Sequence, residues 1–269
     1  MQKTTFRHLF EKVRLPLALF IVIVGGWELL LLVFQVPPYL FPKPSDIVRV
    51  TLVRWPNLTV SVTTTIVEAV IGFSVSVVLG VGIAVLMSLS KTVEKSFYPY
   101  TIILQTLPIV AVAPIIVIWF GAGINAIVII SFLISFFPIL SNTLTGLNST
   151  DQNLKNLFFL YNATKMQTVW KLRFPAALPY VMTGLKISCS SSVVGAIVGE
   201  YIAGIGGGRG GLGYGITVAA SRLETPYLFA CGFSAALMGI AFFLVVNALS
   251  NRLLGSWHES AMVQEGGAK

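Results

Sequence analysis

Between Ser96 and Thr150 the chain carries no Asp, Glu, Lys or Arg, an interval of 55 residues. As one α-helix rising 1.5 Å per residue it would be about 80 Å long. A bilayer hydrocarbon core is only about 30 Å thick and takes roughly 20 apolar residues per crossing. The interval therefore crosses twice, and Gly121-Ala122-Gly123-Ile124-Asn125 is its turn. The rest of the chain has the same character. Of its 269 residues 55% are hydrophobic and 10% charged, with a mean hydropathy of +0.85. Soluble chains average about 25% charged. So few charges cannot cover a water-facing surface, which excludes a soluble enzyme, a disordered tail and a disulfide scaffold.

The other spans follow from the same reasoning. The first runs near Leu15–Val36, opened by Pro16 and closed by Pro37-Pro38. It is too long for a signal peptide, and Trp27-Glu28 stands where small cleavage-site residues belong. The second covers about Val60–Leu89, the third Tyr98–Phe120, the fourth Ala126–Leu147, the fifth Leu178–Ile202 and the sixth Tyr227–Leu249. Their apolar runs are continuous instead of alternating, so helices are expected and membrane strands are not. The expectation is an all-α polytopic membrane protein of about six spans, a single domain over 1–269. A segment 1–14, a loop of about 148–177 and a tail of about 252–269 share one side.

That side is set by Lys and Arg. With a cytoplasmic N-terminus, thirteen of the eighteen lie inside or at the inner boundary: Lys3, Arg7, Lys12, Arg14, Lys91, Lys95, Lys155, Lys165, Lys171, Arg173, Lys186, Arg252 and Lys269. Only Lys43, Arg49, Arg54, Arg209 and Arg222 fall outside. The bias places both termini in the cytoplasm. It also explains the net charge of +8 as topology and not as nucleic-acid binding.

The longest inside segment, Asn148–Ala177, opens on Asp151, which suits a helix N-cap. Beyond it, Leu154, Leu157/Phe158 and Tyr161 share one helical face. Pattern alone leaves two readings open: a helix lying on the membrane, or one docking into a groove on a cytoplasmic partner. The segment resembles the cytoplasmic loop of binding-protein-dependent ABC importer permeases of type I. That family's motif is EAA, three residues, Gly, nine residues, Ile, any residue, Leu-Pro. Counting back from Phe174-Pro175 puts Leu172 at the Ile position, Asn162 at the Gly position and Asn156-Leu157-Phe158 at EAA. The continuation through Leu178, Pro179 and Gly184 matches more closely. Asn is the non-glycine residue best suited to a left-handed bend, whereas Asn156 drops the family's acid. Pro37–Ser45, Gly26-Trp27-Glu28, Leu107-Pro108, Ala113-Pro114, Val198-Gly199-Glu200 and Gly211-Leu212-Gly213-Tyr214 extend the resemblance to the nitrate/sulfonate/bicarbonate/taurine-like branch. Ser256-Trp257-His258-Glu259 is most similar to permeases of riboflavin or thiamine-pyrimidine uptake.

The resemblance implies a permease subunit forming a translocation pathway as a homodimer, with two ATPase subunits inside and a substrate-binding protein outside. It belongs in a bacterial inner membrane. The solute is a small organic molecule or anion, sulfonate/nitrate/bicarbonate-like or riboflavin/pyrimidine-like. ATP and Mg would sit on the ATPase, and this chain needs no cofactor, catalytic residue or metal of its own. Coupling falls to Asn156, Leu157, Phe158, Tyr161, Asn162 and Ala163. Pathway candidates are Pro108, Pro114, Ser188, Ser192 and Glu200, with prolines in span three freeing backbone groups tolerated only inside protein or beside water.

Competing patterns are weaker. Gly206–Gly211 satisfies G-x-G-x-x-G but lacks a strand before it, and no Gly-Lys-Ser/Thr occurs to make a P-loop. The two histidines and two cysteines have no metal-site spacing. An ion-coupled carrier would want inverted repeats with charged mid-membrane pairs, and an intramembrane enzyme would want clustered His or Asp in the spans. Gly72, Ser76, Gly80, Ala84 and Ser88 on span two, and Gly184, Ser188, Ser192 and Ala196 on span five, recur every four residues. Such small ridges let membrane helices approach closely.

Overall fold

A computed structural model describes residues 2–204 and 210–254, with side chains over 14–204 and 210–253. The glycine-rich run at 206–208 with Arg209, and Ser256–Glu259, lie outside the described residues. Eleven α-helices follow one another among those described: α1 Gln2–Val33, α2 Pro44–Val53, α3 Trp55–Ser88, α4 Lys91–Thr106, α5 Ile109–Phe120, α6 Ile124–Asn148, α7 Gln152–Leu160, α8 Lys165–Thr168, α9 Phe174–Ala203, α10 Leu212–Ser221 and α11 Thr225–Leu254. A π-helical turn, Val169–Arg173, joins α8 to α9. Five helices are long and apolar enough to cross a membrane, and six spans result when α4 and α5 count as one bent crossing. The fold class expected from the sequence is therefore the one found.

Three local differences have physical causes. α1 runs through Pro16 instead of starting there; one missing N–H breaks a single backbone bond and leaves the helix on either side intact. The third span is bent by 95° between α4 and α5. Leu107, forced out of the helical region by the proline after it, has φ −63° and ψ 127°, and Pro108 caps α5. Finally, α2 and α10 are short helices that no 20-residue apolar run announces.

One compact unit comprises Val60–Tyr214 and Ser234–Lys269. Its centre is α6, packed between α3 and α9. On the α3 and α9 sides of these seams the side chains are small or missing. A Cβ at Gly72 would lie 2.5 Å from Ser131 Oγ, and one at Gly195 would lie 2.6 Å from Ser131 Cα. Gly80 and Gly199 meet Ile139 and Ile127 in the same way. Serines fasten the seams. Ser76 donates to Phe132 O at 2.9 Å, Ser188 to Ser135 O at 2.7 Å and Ser131 to Ser192 O at 2.9 Å. Each hydroxyl is thereby satisfied where lipid and packed side chains offer no water. At one end of the seam Ala84, Met87, Leu140, Leu144, Leu147 and Ala177 form an apolar cluster, while Ala113 and Ile116 of α5 pack on Ala126 and Ile130 of α6.

The other unit comprises Met1–Thr59 and Gly215–Phe233. Trp27 packs against Phe41 and Phe229, with ring centroids 5.4 and 6.1 Å away. Glu28 accepts from Ser45 N at 3.1 Å and Ser45 Oγ at 2.7 Å, which satisfies donors in the first turn of α2. Arg54 pairs with Glu224 and lies over the Tyr227 ring. Most of the apolar side chains of α1 stay exposed, as lipid contact requires.

Candidate transport machinery

The loop between α6 and α9 is built as two short helices meeting at a sharp bend. Asp151 Oδ1 accepts from the backbone N–H groups of Asn153 at 2.6 Å and Leu154 at 3.3 Å, starting α7. After Leu160 the chain turns at Asn162, whose φ is +53°. That is the left-handed conformation a glycine would adopt freely and asparagine tolerates. Thr164 then starts α8 with a capping box, its hydroxyl accepting from Gln167 N while Gln167 Oε1 accepts from Thr164 N. Leu154, Leu157, Leu160 and Tyr161 are exposed, Tyr161 at 80%, while Phe158 and Ala163 are half-buried and Asn156 is exposed. Leu172, Phe174, Pro175, Leu178 and Pro179 are half-buried where the loop enters α9, and Gly184 lies against Pro138 O and Asn142.

A second feature sits at the bent span. The elbow between α4 and α5 opens a cavity of about 430 Å³ against α6, with Gln105, Leu107, Phe132, Phe136, Phe137 and Pro138 among its walls. Its lining contains no charged side chain. Phe136 stands 5.2 Å from Phe132 and 5.1 Å from Phe137, centroid to centroid. Pro108 makes the elbow itself, and Pro114 lies nearly two turns further along α5. Ser188 and Ser192 are fully buried in the seam with α6, away from this cavity.

Comparison with known proteins decides what such a chain is. A family model described as "Binding-protein-dependent transport system inner membrane component" matches residues 76–255. The formylaminopyrimidine transport permease ThiX of Halalkalibacterium halodurans is 36% identical over 240 residues, 89% of this chain and 94% of that protein. The chain belongs to this family of permeases. The riboflavin permease RibX of Chloroflexus aurantiacus is 34% identical over 63% of this chain and 62% of its own length. The taurine permease TauC of Escherichia coli is 25% identical over 93% and 92%. This permease is the membrane subunit of an ABC importer.

The permease also has a polar knot that the sequence marked only in part. Glu200, fully buried, accepts from Thr65 Oγ1 at 2.6 Å and from Gly213 N at 2.6 Å. Thr65 in turn accepts from Leu212 N at 2.9 Å. The carboxylate thus occupies the N-terminus of α10, where unpaired N–H groups and the helix dipole favour negative charge. Gly211 and Gly213 are needed here, because a Cβ on Gly211 would overlap the Glu200 carboxylate and one on Gly213 would run into Ile197 O. Glu68, also fully buried, lies beside Glu200, the one carboxyl facing the other.

Arg173 is another residue that sequence reasoning counted only as topology. Its guanidinium donates to Ser88 O at 2.8 Å, Leu147 O at 2.9 Å and Asn148 Oδ1 at 2.9 Å. One side chain thus closes the last turns of α3 and α6, whose carbonyls lack helical partners. The cavity phenylalanines were missed for a plain reason. In an apolar span, a phenylalanine facing a void and one facing lipid look alike until the elbow is placed.

Proposed function

We propose that this permease imports a small, flat, uncharged heteroaromatic solute through a pathway that begins at the α4–α5 elbow. The observation that carries this is the cavity's lining: three phenylalanines for stacking, one glutamine amide for orientation and no cation to hold a sulfonate or nitrate. An anionic solute would leave its charge unpaired in an apolar site, at a cost of several kcal/mol. That two relatives are named for pyrimidine and riboflavin transport agrees with this reading.

The assembly follows the family. Two copies of the chain pair around the pathway, with both termini cytoplasmic as the Lys and Arg distribution favours. A soluble binding protein delivers solute from outside. Two separate ATPase subunits, which hold ATP and Mg, dock on Leu154, Leu157 and Tyr161 of the α7 face. Closure of the ATPases moves α7 and α8, and the π-helical turn carries that motion into α9 and the seam with α6. Asn156 and Phe158 shape the docked face, while Asn162 and Ala163 set the bend.

The test is uptake by the complete complex in proteoliposomes, offering a labelled aminopyrimidine and a labelled alkanesulfonate in parallel with their binding proteins. ATP-dependent uptake of the pyrimidine, reduced by Phe136→Ala, is expected. Uptake of the sulfonate alone would overturn the solute assignment, and uptake driven by an ion gradient without ATP would overturn the coupling.

A further inference from the structure

At the end of the bundle that carries α7, the ends of α3 and α6, the start of α4, one edge of α7, α8 and the π-helical turn border a second, open cavity of about 800 Å³. Four cations line it: Lys91, Lys155, Lys165 and Arg173. No Asp or Glu does. Glu94, one turn along α4 from Lys91, is already engaged, accepting from Lys91 Nζ at 3.2 Å and from Asn148 Nδ2 at 2.7 Å. Asp151 is committed to the start of α7. Arg173 donates to carbonyl oxygens and an amide, and Lys155 reaches only Asn148 O, at 3.4 Å. Among the described residues, Lys91 is the one cation of the four in an ion pair.

Burial, and then repulsion from Arg173 and Lys91, holds the Lys155 ammonium below the ordinary lysine range, with Asp151 offsetting part of this. The cluster is therefore short of negative charge. A dianion or monoanion of phosphate size would supply it, accepting from the lysine ammonium groups of the lining.

We propose that this cavity binds a phosphate-bearing anion, held by Lys155 and Lys165 in the field of Lys91 and Arg173. Two sources carry that chemistry: the headgroup of an anionic phospholipid, or a soluble phosphate compound. The location suits a headgroup, since basic pockets among the ends of membrane helices are where such lipids are held. Trp170, half-exposed and stacked 5.2 Å from Phe174, stands at the same level, as interfacial tryptophans do. The site leaves the docking face of α7 untouched. At about 100° per residue, Gln152, Lys155 and Phe159 fall on the edge facing the cavity, and Leu154, Leu157 and Tyr161 on the opposite one.

The experiment uses the full-length chain purified in detergent, with three probes: dioctanoyl phosphatidylglycerol, dioctanoyl phosphatidylcholine and inorganic pyrophosphate. Binding is counted by native mass spectrometry at low salt. Saturable phosphatidylglycerol binding is expected to weaken roughly tenfold or more in Lys155→Gln/Lys165→Gln, from the loss of two near-surface cations. The Lys155→Arg/Lys165→Arg pair should retain it. Lys165→Glu, an exposed single change, serves as a second variant should the double one unfold. Displacement of the lipid by pyrophosphate assigns a soluble source, and its failure to displace assigns the headgroup. Equal binding of phosphatidylglycerol to wild type, Lys165→Glu and the glutamine variant would overturn the proposal, as would the absence of saturable binding for every probe.

Discussion

Substituting Gly195 by alanine should separate α9 from α6, and the contact distances set the size of the effect. The new methyl carbon would lie 2.6 Å from Ser131 Cα and 3.3 Å from Ile130 O, both backbone atoms that cannot swing aside. Restoring an ordinary carbon–carbon contact requires the helices to part by about 1 Å. Overpacking of this kind costs about 1–3 kcal/mol. The same movement stretches the bonds from Ser131 to Ser192 O and from Ser188 to Ser135 O, now 2.9 and 2.7 Å, at about 0.6 kcal/mol each in a membrane protein. Alanine's better helix propensity returns roughly 1 kcal/mol. The net loss is about 1–3 kcal/mol. Gly82→Ala is the control, since no heavy atom lies within 4 Å of a Cβ there; it should gain up to about 1 kcal/mol from propensity alone. Reversible denaturant titration of both variants in detergent measures the difference. Equal midpoints for Gly195→Ala and Gly82→Ala would refute the claim that backbone contact across this seam holds the bundle together.

Two more outcomes follow from other sites. Tyr161→Asp places a charge on the exposed α7 face and should release the ATPase subunits during co-purification while leaving the permease folded; an intact complex with full coupled ATPase activity would remove α7 from the docking surface. Arg54 holds the Glu224 carboxyl below the usual carboxylate range, through their hydrogen bond first. The pair's contribution is therefore present above the unfolded carboxylate value near 4.3 and is lost as pH falls through the depressed folded value. Both side chains are about one-third exposed, so it amounts to about 0–1 kcal/mol. A pH titration of thermal midpoints should show that acid-side loss in wild type and not in Glu224→Gln; identical curves would dismiss the pair.

Much of the bundle was legible in the sequence because lipid imposes a one-dimensional rule. A helix in a bilayer satisfies its backbone internally, so charge-free length alone located five straight spans, the third interval that proves bent, and the turn at Gly121–Asn125. The small-residue ridges on α3 and α9 were legible too, since close approach demands a missing side chain wherever the partner lies. What stayed hidden depends on rotation about a helix axis. Ser188 and Ser192 could face a pathway or a neighbour, and only α6 settles which. Glu68 and Glu200, 132 positions apart in the chain, meet because α3 and α9 face each other across unrelated sequence. The Asp151 cap and the left-handed Asn162 were readable because both are local backbone demands. The anion cavity was not, since its four cations come from four separate elements.

Arg173 ties the loop between α6 and α9 to the spans around it. A loop tethered only by its two chain ends would absorb a push on α7 by flexing, and no work would reach the spans. The guanidinium instead fastens the loop to the ends of α3 and α6, two helices joined by a close glycine seam. Three hydrogen bonds hold that attachment, whereas the Leu107-Pro108 elbow is a break in the helical backbone of the third span. In the coupling proposed above, a loop fixed in this way would pass a push on α7 to α3 and α6 together.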